Sequence, residues 1–273
     1  MRFHRRKVVV LLLALAASFL FCILIMGFLY GDAAMETDFA RKNQPPSFRY
    51  PFGTDWMGRD MFARTAAGLS MSIRIGLFTA TVSAVTAFVL GSAAAVMGKA
   101  ADAIIGWLID LMMGIPHILL LILISFACGK GVRGVVIGVL CTHWMSLARV
   151  IRGEVLQLKQ SGYVQTAAKL GTGRSKIITM HMLPHLIPQF MTGLILLFPH
   201  AILHEAGITF LGFGLPPEQP AIGVILSESI RYLLTGSWWL AFFPGVSLVL
   251  VVILFDYIGS MARRLLAPAS VHE

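Results

Sequence analysis

The sequence predicts an all-α integral membrane protein with six transmembrane helices. Three observations carry that prediction. The 273-residue chain is 57% hydrophobic and only 13% charged, whereas about a quarter of residues are charged in ordinary soluble domains. Apolar stretches recur that reach or approach the ~20 residues a helix needs to cross the hydrocarbon layer. Between two of them lies a polar island, Arg152 to Pro188, helical in composition but too polar for lipid.

The first span, Val8–Leu29, follows Arg2, Arg5, Arg6 and Lys7. Its apolar core exceeds a signal-peptide h-region and no small-residue cleavage site follows cleanly, so an uncleaved anchor with its N-terminus inside is expected. The next spans are Ile73–Met97, Ile104–Ala127, Val135–Leu147 (extendable back to Val132), Leu186–Phe210 and Trp239–Ile258. The second is crowded with small residues, among them Gly76, Ala80, Ala84, Ala87 and Gly91. Such residues let helices approach closely, which predicts a span buried in the bundle.

Six spans put both termini on one side, and charge says which. Thirteen of the 22 Lys and Arg residues fall in the head, the turn at Lys99, the island and the tail. The other nine include six in residues 31–74, where Asp32, Glu36, Asp38, Asp55 and Asp60 balance most of them. The bias places the island and both termini in the cytoplasm. Trp238 and Trp239 then sit at the outer edge of the last span, where interfacial anchors are expected. The formal charge of +9 does not point to nucleic acid, because no Lys/Arg run beyond Arg5-Arg6-Lys7 suggests a phosphate-binding tract. Cys22, Cys128 and Cys141 are far apart, odd in number and without CxxC spacing, so they read as packing residues.

Within the island, Glu154–Gln160 and Tyr163–Leu170 have helical composition, punctuated by Gly162 and Gly171-Thr172-Gly173. A second helix, Arg174–Met182, is expected to end at Leu183-Pro184, where proline cannot continue it. Tyr163, Ala167 and Leu170 fall at i, i+4 and i+7 and make a small apolar face. That face suits insertion into a partner's groove. With Lys169, Arg174 and Lys176 alongside, it equally suits a helix lying on anionic lipid.

Several polar residues fall in or near spans. Asp110 is either a pathway or gate residue or a hydrogen-bonded group near the cytoplasmic face. Pro116 predicts a kink where a gate bends. Met112 and Met113 are soft path lining or core filler. His200 and His204 share a helix face, a spacing that can hold metal, though no firm metal site follows. His204-Glu205-Ala206-Gly207-Ile208 misses the HExxH pattern because residue 208 is isoleucine. Without that ligand or a nucleophile–base pair, a membrane hydrolase has no support. A stand-alone carrier or channel would use Asp110 and His117 as a proton relay.

Three ordered motifs carry a family resemblance. Gln165-Thr166-Ala167, Gly171 after three intervening residues, and His181-Met182-Leu183-Pro184 after nine more resemble the EAA signature of ABC importer permeases, with Gln and Thr replacing the Glu and first Ala. Phe52 to Asp60 resembles the GTDxxGRD segment of dipeptide/oligopeptide/nickel permeases. Phe210-Leu-Gly-Phe-Gly214 with Pro216-Pro217, then Pro244-Gly245 and the ending Arg263 to Pro268, resembles their C-terminal half.

The chain is similar to the second permease subunit of such systems, and this resemblance implies the following. The fold is a type I ABC importer permease with a cytoplasmic coupling helix. Residues 1–66 are an N-terminal anchor and external segment, 67–262 the permease domain with coupling region 152–188, and 263–273 a cytoplasmic tail. The partners are a sister permease, two cytoplasmic ATPase subunits and an extracytoplasmic substrate-binding protein, in a bacterial or archaeal cytoplasmic membrane. ATP and Mg belong to the ATPases. The chain carries no cofactor and is not itself an enzyme, in keeping with its lack of a GxxxxGK[ST] loop. Tyr163, Gln165, Thr166, Ala167, Leu170, Gly171, Leu183 and Pro184 are the coupling residues. Asp55, Arg59 and Asp60 either dock the binding protein or fold the external loop. The cargo is nickel, a metal chelate or a di-/oligopeptide, with the histidines tilting the choice towards metal.

Overall fold

Among the described residues, five helices are long and apolar enough to cross a membrane, and a bent pair makes a sixth when its two helices are taken as one broken span. The computed structural model describes residues 2–266. In chain order, α1 (Arg2–Leu29) and α2 (Met61–Val96) are joined by a segment, expected to be external, that contains a 3₁₀ turn, Phe39–Arg41. Next come α3 (Lys99–Met113), α4 (His117–Ala127) and α5 (Gly131–Gln160). The short α6 (Gly162–Lys169) is followed by α7 (Arg174–Lys176), which runs through a π-helical stretch, Ile177–Met182, into α8 (Leu183–Phe210). The chain closes with α9 (Ile222–Leu233) and α10 (Trp239–Leu266). The tail from residue 267, including Pro268, lies outside the described residues.

The predicted six crossings stand, but their lengths differ. α2 begins at Met61 rather than Ile73, because the Asp60 carboxylate caps it by accepting from the Phe62 N–H at 2.8 Å. Its 36 residues rise about 54 Å, so its first turns stand outside the ~30 Å hydrocarbon layer. The span at Val135–Leu147 lies towards the N-terminal end of α5, which also absorbs Glu154–Gln160 into one 30-residue helix. Leu183-Pro184 does not end a helix. Pro184 lies in the first turn of α8, and Leu183 N–H bonds back to Ile178 in π register. The wider turn accommodates a residue that has no N–H to give.

Pro116 does more than kink. α3 and α4 meet at 96° across Gly114, Ile115 and Pro116. Pro116 has no amide donor and steers Ile115 away from helical backbone, so the hydrogen-bond ladder stops there. Such a break within membrane depth is tolerated where it lines a cavity in protein.

α2 is the centre of the bundle, against α1, α5 and α8. Ala80, Ala84, Ala87 and Ala94 are essentially inaccessible along it, as its small-residue composition predicts. At the C-terminal end of α2, the Arg152 guanidinium pairs with Asp102 and Lys159 Nζ donates to the Ala95 carbonyl at 2.8 Å. These contacts lock together that end of α2, the start of α3 and the end of α5. Exposed apolar side chains run along α1 and α10, including Leu15, Phe19, Val249 and Ile253, as surfaces for lipid or a partner subunit.

The external segment turns tightly at Gly58, which has φ +76°; a Cβ there would overlap the Asp38 carbonyl oxygen. Gly58→Ala is therefore expected to unseat this segment while the spans remain inserted. Limited proteolysis of residues 31–60 checks it, with wild-type resistance as the contrary result.

Candidate functional site

Three regions carry the polar chemistry: a belt at the start of α2, a cavity at the broken span, and a loop at the opposite end of the bundle. The belt forms around Asp55, which is fully buried. Its carboxylate accepts from the backbone N–H of Met57 at 2.8 Å and Arg59 at 3.0 Å, from Arg59 Nε at 2.7 Å and from Arg64 Nη1 at 2.7 Å. Arg64 also donates to Glu228 of α9 at 2.9 Å. Trp56 stacks on Tyr232 at 4.7 Å with both guanidinium groups over its ring. The Trp239 indole N–H reaches the Thr54 carbonyl at 3.4 Å, so this residue pins the segment rather than anchoring in the interface. Burial holds the Asp60 carboxyl above the usual carboxylate range, against the opposing donors Phe62 N–H and Ala63 N–H.

Asp55 and Arg59 are both buried and hold the segment together. Sequence reasoning missed Arg64, Glu228, Arg231 and the helix α9. Trp56, Glu228, Arg231, Tyr232 and Lys130 line an outer vestibule of about 610 Å³. The turn after α8 helps frame it: Gly131 N–H donates to the Gly214 carbonyl at 3.0 Å, and the Ser125 hydroxyl to that of Phe213 at 3.2 Å.

The break between α3 and α4 opens a cavity of about 410 Å³ lined by Met113, His117, His143, Met145, His200 and His204, among others. A contiguous space of about 350 Å³ shares Met113, His117 and Met145 and adds Met112 and Pro116. His143 Nε2 and His204 Nδ1 are 3.3 Å apart. His200 sits at the rim, and its carbonyl accepts from His204 Nδ1 at 2.7 Å. The expected pathway residues Met112, Pro116, His200 and His204 thus come together. Asp110 does not join them; it is exposed and paired with Arg149 at 2.5 Å. Glu205 is buried, accepts from the Thr209 hydroxyl at 3.1 Å, and does not line the cavity. His143 is the residue that sequence reasoning overlooked, although an ionisable group inside a span is itself a signal.

At the end of the bundle opposite the belt, Val164 is the buried residue of α6. Tyr163 and Leu170 are 44% and 81% exposed. The predicted face of Tyr163, Ala167 and Leu170 therefore points mostly away from the protein. α6 ends in a paired C-cap: Gly171 N–H bonds Ala168 and Thr172 N–H bonds Ala167 at 3.0 Å. That motif requires left-handed backbone at Gly171, which has φ +82°. Gln165 Nε2 donates to the Gln160 carbonyl, and the Tyr163 ring lies 5.8 Å from His185 and 6.4 Å from His181. Those two histidines therefore belong to the loop. Leu183 and Pro184 lie where α8 begins, beyond the π turn.

Residues 87–270 match the family described as binding-protein-dependent transport system inner membrane component. The chain belongs to this family. It is a multi-pass permease subunit of an ABC importer, expected in the inner membrane, and its class of transporter combines permease, ATPase and binding-protein components. The permease is 31% identical over 251 residues to the dipeptide transport system permease protein DppC of Bacillus subtilis, covering 92% of this chain and 78% of that protein. It is 35% identical over 225 residues to a peptide transport system permease protein of Brucella suis, covering 82% and 75% respectively. In structure, the permease resembles a chain of the MetNI methionine ABC transporter in an inward-facing conformation, with TM-score 0.63 at 17% identity, covering 76% of this chain and 98% of that one. That likeness concerns the fold, which is the type I importer permease fold.

Proposed function

We propose that this permease imports a small peptide-like or metal-chelate cargo, driven by ATP on partner subunits. The observation that carries the ATP-driven part is α6, a short helix at the inner end held by one buried residue and showing Tyr163 and Leu170 outward. In this reading Tyr163, Gln165, Thr166, Ala167, Leu170 and Gly171 meet a cytoplasmic ATPase, while Leu183 and Pro184 relay its motion into α8. Two ATPases carrying ATP and Mg, a sister permease and an external binding protein complete the assembly. Both termini are cytoplasmic. Residues 1–66 anchor and face outward, 67–262 transport, and 263–273 form the tail. ATP binds one conformation better and so shifts the population between inward- and outward-open states.

The names of the relatives support a peptide-class cargo, and the histidine cavity favours one that brings a metal. A proton-relay carrier is less well supported, because Asp110 pairs with Arg149 and is not a lining residue of the cavity that holds His117.

Gly171→Val tests the coupling role. A β-branched residue resists left-handed backbone, and no neighbour lies within 4 Å of the added Cβ, so the effect stays in the loop. The variant is expected to remain in the membrane while substrate import uncouples from ATP hydrolysis. Normal import per ATP in reconstituted vesicles refutes the assignment.

A further inference from the structure

Three imidazoles meet inside the bundle from three helices. His117 opens α4, His143 lies in the middle of α5 and His204 in α8. One nitrogen from each lies within 4.8 Å of the other two. The ring centroids are 4.5 to 5.0 Å apart. Nearby carbonyls already orient two of the rings. His143 Nδ1 is 3.1 Å from the Val139 carbonyl and His204 Nδ1 is 2.7 Å from that of His200. A proton on each Nδ1 leaves the His204 Nε2 lone pair free, while His143 Nε2 faces the His204 Nδ1–H at 3.3 Å, a long contact that an ion would replace; outer-shell carbonyls orient metal-binding histidines in this way.

The third ring decides against a self-sufficient hydrogen-bonded cluster. His117 Nε2 is buried and has no partner, and an unpaired polar atom in apolar surroundings is costly. An ion shared by the three rings would remove that cost. Nitrogens bound about 2.0–2.1 Å from one ion sit roughly 3.3 Å apart, so modest ring rotation closes the site.

We propose that His117, His143 and His204 bind a divalent late transition ion of the Ni²⁺, Co²⁺ or Zn²⁺ class, leaving positions open to the carboxylate donors of a small chelating cargo. The proposal rests on the import reading above and deepens it. The donor set selects the metal: imidazoles suit these ions, the thioethers of Met113 and Met145 border the cavity, and no carboxylate lines it. Calcium and magnesium require oxygen ligands and find none charged here. Charge selects the form of the cargo. A bare dication among neutral ligands in a low-dielectric interior is expensive, and the N-terminus of α4, where His117 stands, also prefers negative charge. Carboxylates that arrive with the ion satisfy both conditions. Three protein ligands with open positions permit capture and release, unlike a closed structural site.

The test uses the full chain in its assembled transporter, without nucleotide, exposed to Ni²⁺ or to Ni²⁺–iminodiacetate and then freed of unbound metal. One nickel per permease chain is expected, with the chelate retained more tightly than the bare ion and with no retention of Mg²⁺ or Ca²⁺. His117→Gln and His143→Gln each weaken retention at least about tenfold, whereas His185→Gln at the inner loop leaves it unchanged. X-ray absorption on the unaltered protein counts three imidazole ligands, which keeps the proposal testable if a variant fails to fold. Fewer than two imidazoles, unchanged retention in the His117 and His143 variants, or equal retention of Mg²⁺ overturns the site. Tighter binding of the bare ion overturns the chelate arm and makes the free ion the source. Metal retention does not require ATP coupling, so Gly171→Val separates failure of the site from failure of the import reading.

Discussion

Arg64→Ala is expected to destabilise the permease by about 3–5 kcal/mol, the cost of breaking a buried ion pair from one side. Arg64 is 1% exposed and bonds both Asp55 and Glu228. Its removal leaves the Asp55 carboxylate buried with only Arg59 to balance it, and it cuts the tie between the external segment and α9. The thermal midpoint in detergent should fall, and residues 31–60 should become protease-sensitive. Arg74→Ala is the control: that side chain is exposed and donates only to Ser70 of its own helix, so its change should stay within about 0.5 kcal/mol. Equal melting of the Arg64 variant and the unaltered protein removes the belt as a stabilising element.

Val164→Asp is expected to have the second largest effect, confined to the inner loop. A buried valine is worth roughly 1.5–3 kcal/mol of transfer free energy, and a carboxylate in its place adds desolvation cost. Because Val164 is the buried residue of α6, the helix should lift while the spans stay packed. Hydrogen exchange across Gly162–Lys169 should accelerate, and import should fall with it. Leu170→Ser supplies the contrast. Leu170 is 81% exposed, so its loss should leave exchange unchanged and weaken only attachment of the ATPase. Slow exchange in the Val164 variant, or strong attachment in the Leu170 variant, contradicts the arrangement proposed for α6.

The spans were legible in the sequence because lipid imposes a simple rule, a long apolar run. Their true ends were not, since ends are set by local chemistry. α2 starts at Met61 because Asp60 caps it, and α8 continues through Pro184 because a π turn absorbs the missing donor. α9 was hidden behind a proline-rich turn and is too short to register as a span. The helix–glycine turn of α6 was readable from motif spacing, including the glycine whose positive φ the C-cap needs. The buried face of α6 was not, because i, i+4, i+7 spacing describes a stripe without saying whether it faces in or out. The histidine cluster was half legible. His117 and His204 drew notice, but only the folded chain brings His143 between them, since three helices are needed to converge.

The outer belt bears on the order in which this protein is made. Arg64 and Glu228 are separated by 164 residues. At about 5–20 residues per second of synthesis, Arg64 waits roughly 8–30 seconds for its second carboxylate. During that interval the external segment has left the ribosome and α2 exists, but α9, which closes the belt, has not been translated. The chain synthesised before α9 therefore carries an open belt until that helix is made. A truncation ending before α9 should be degraded quickly even though most of its spans are already present.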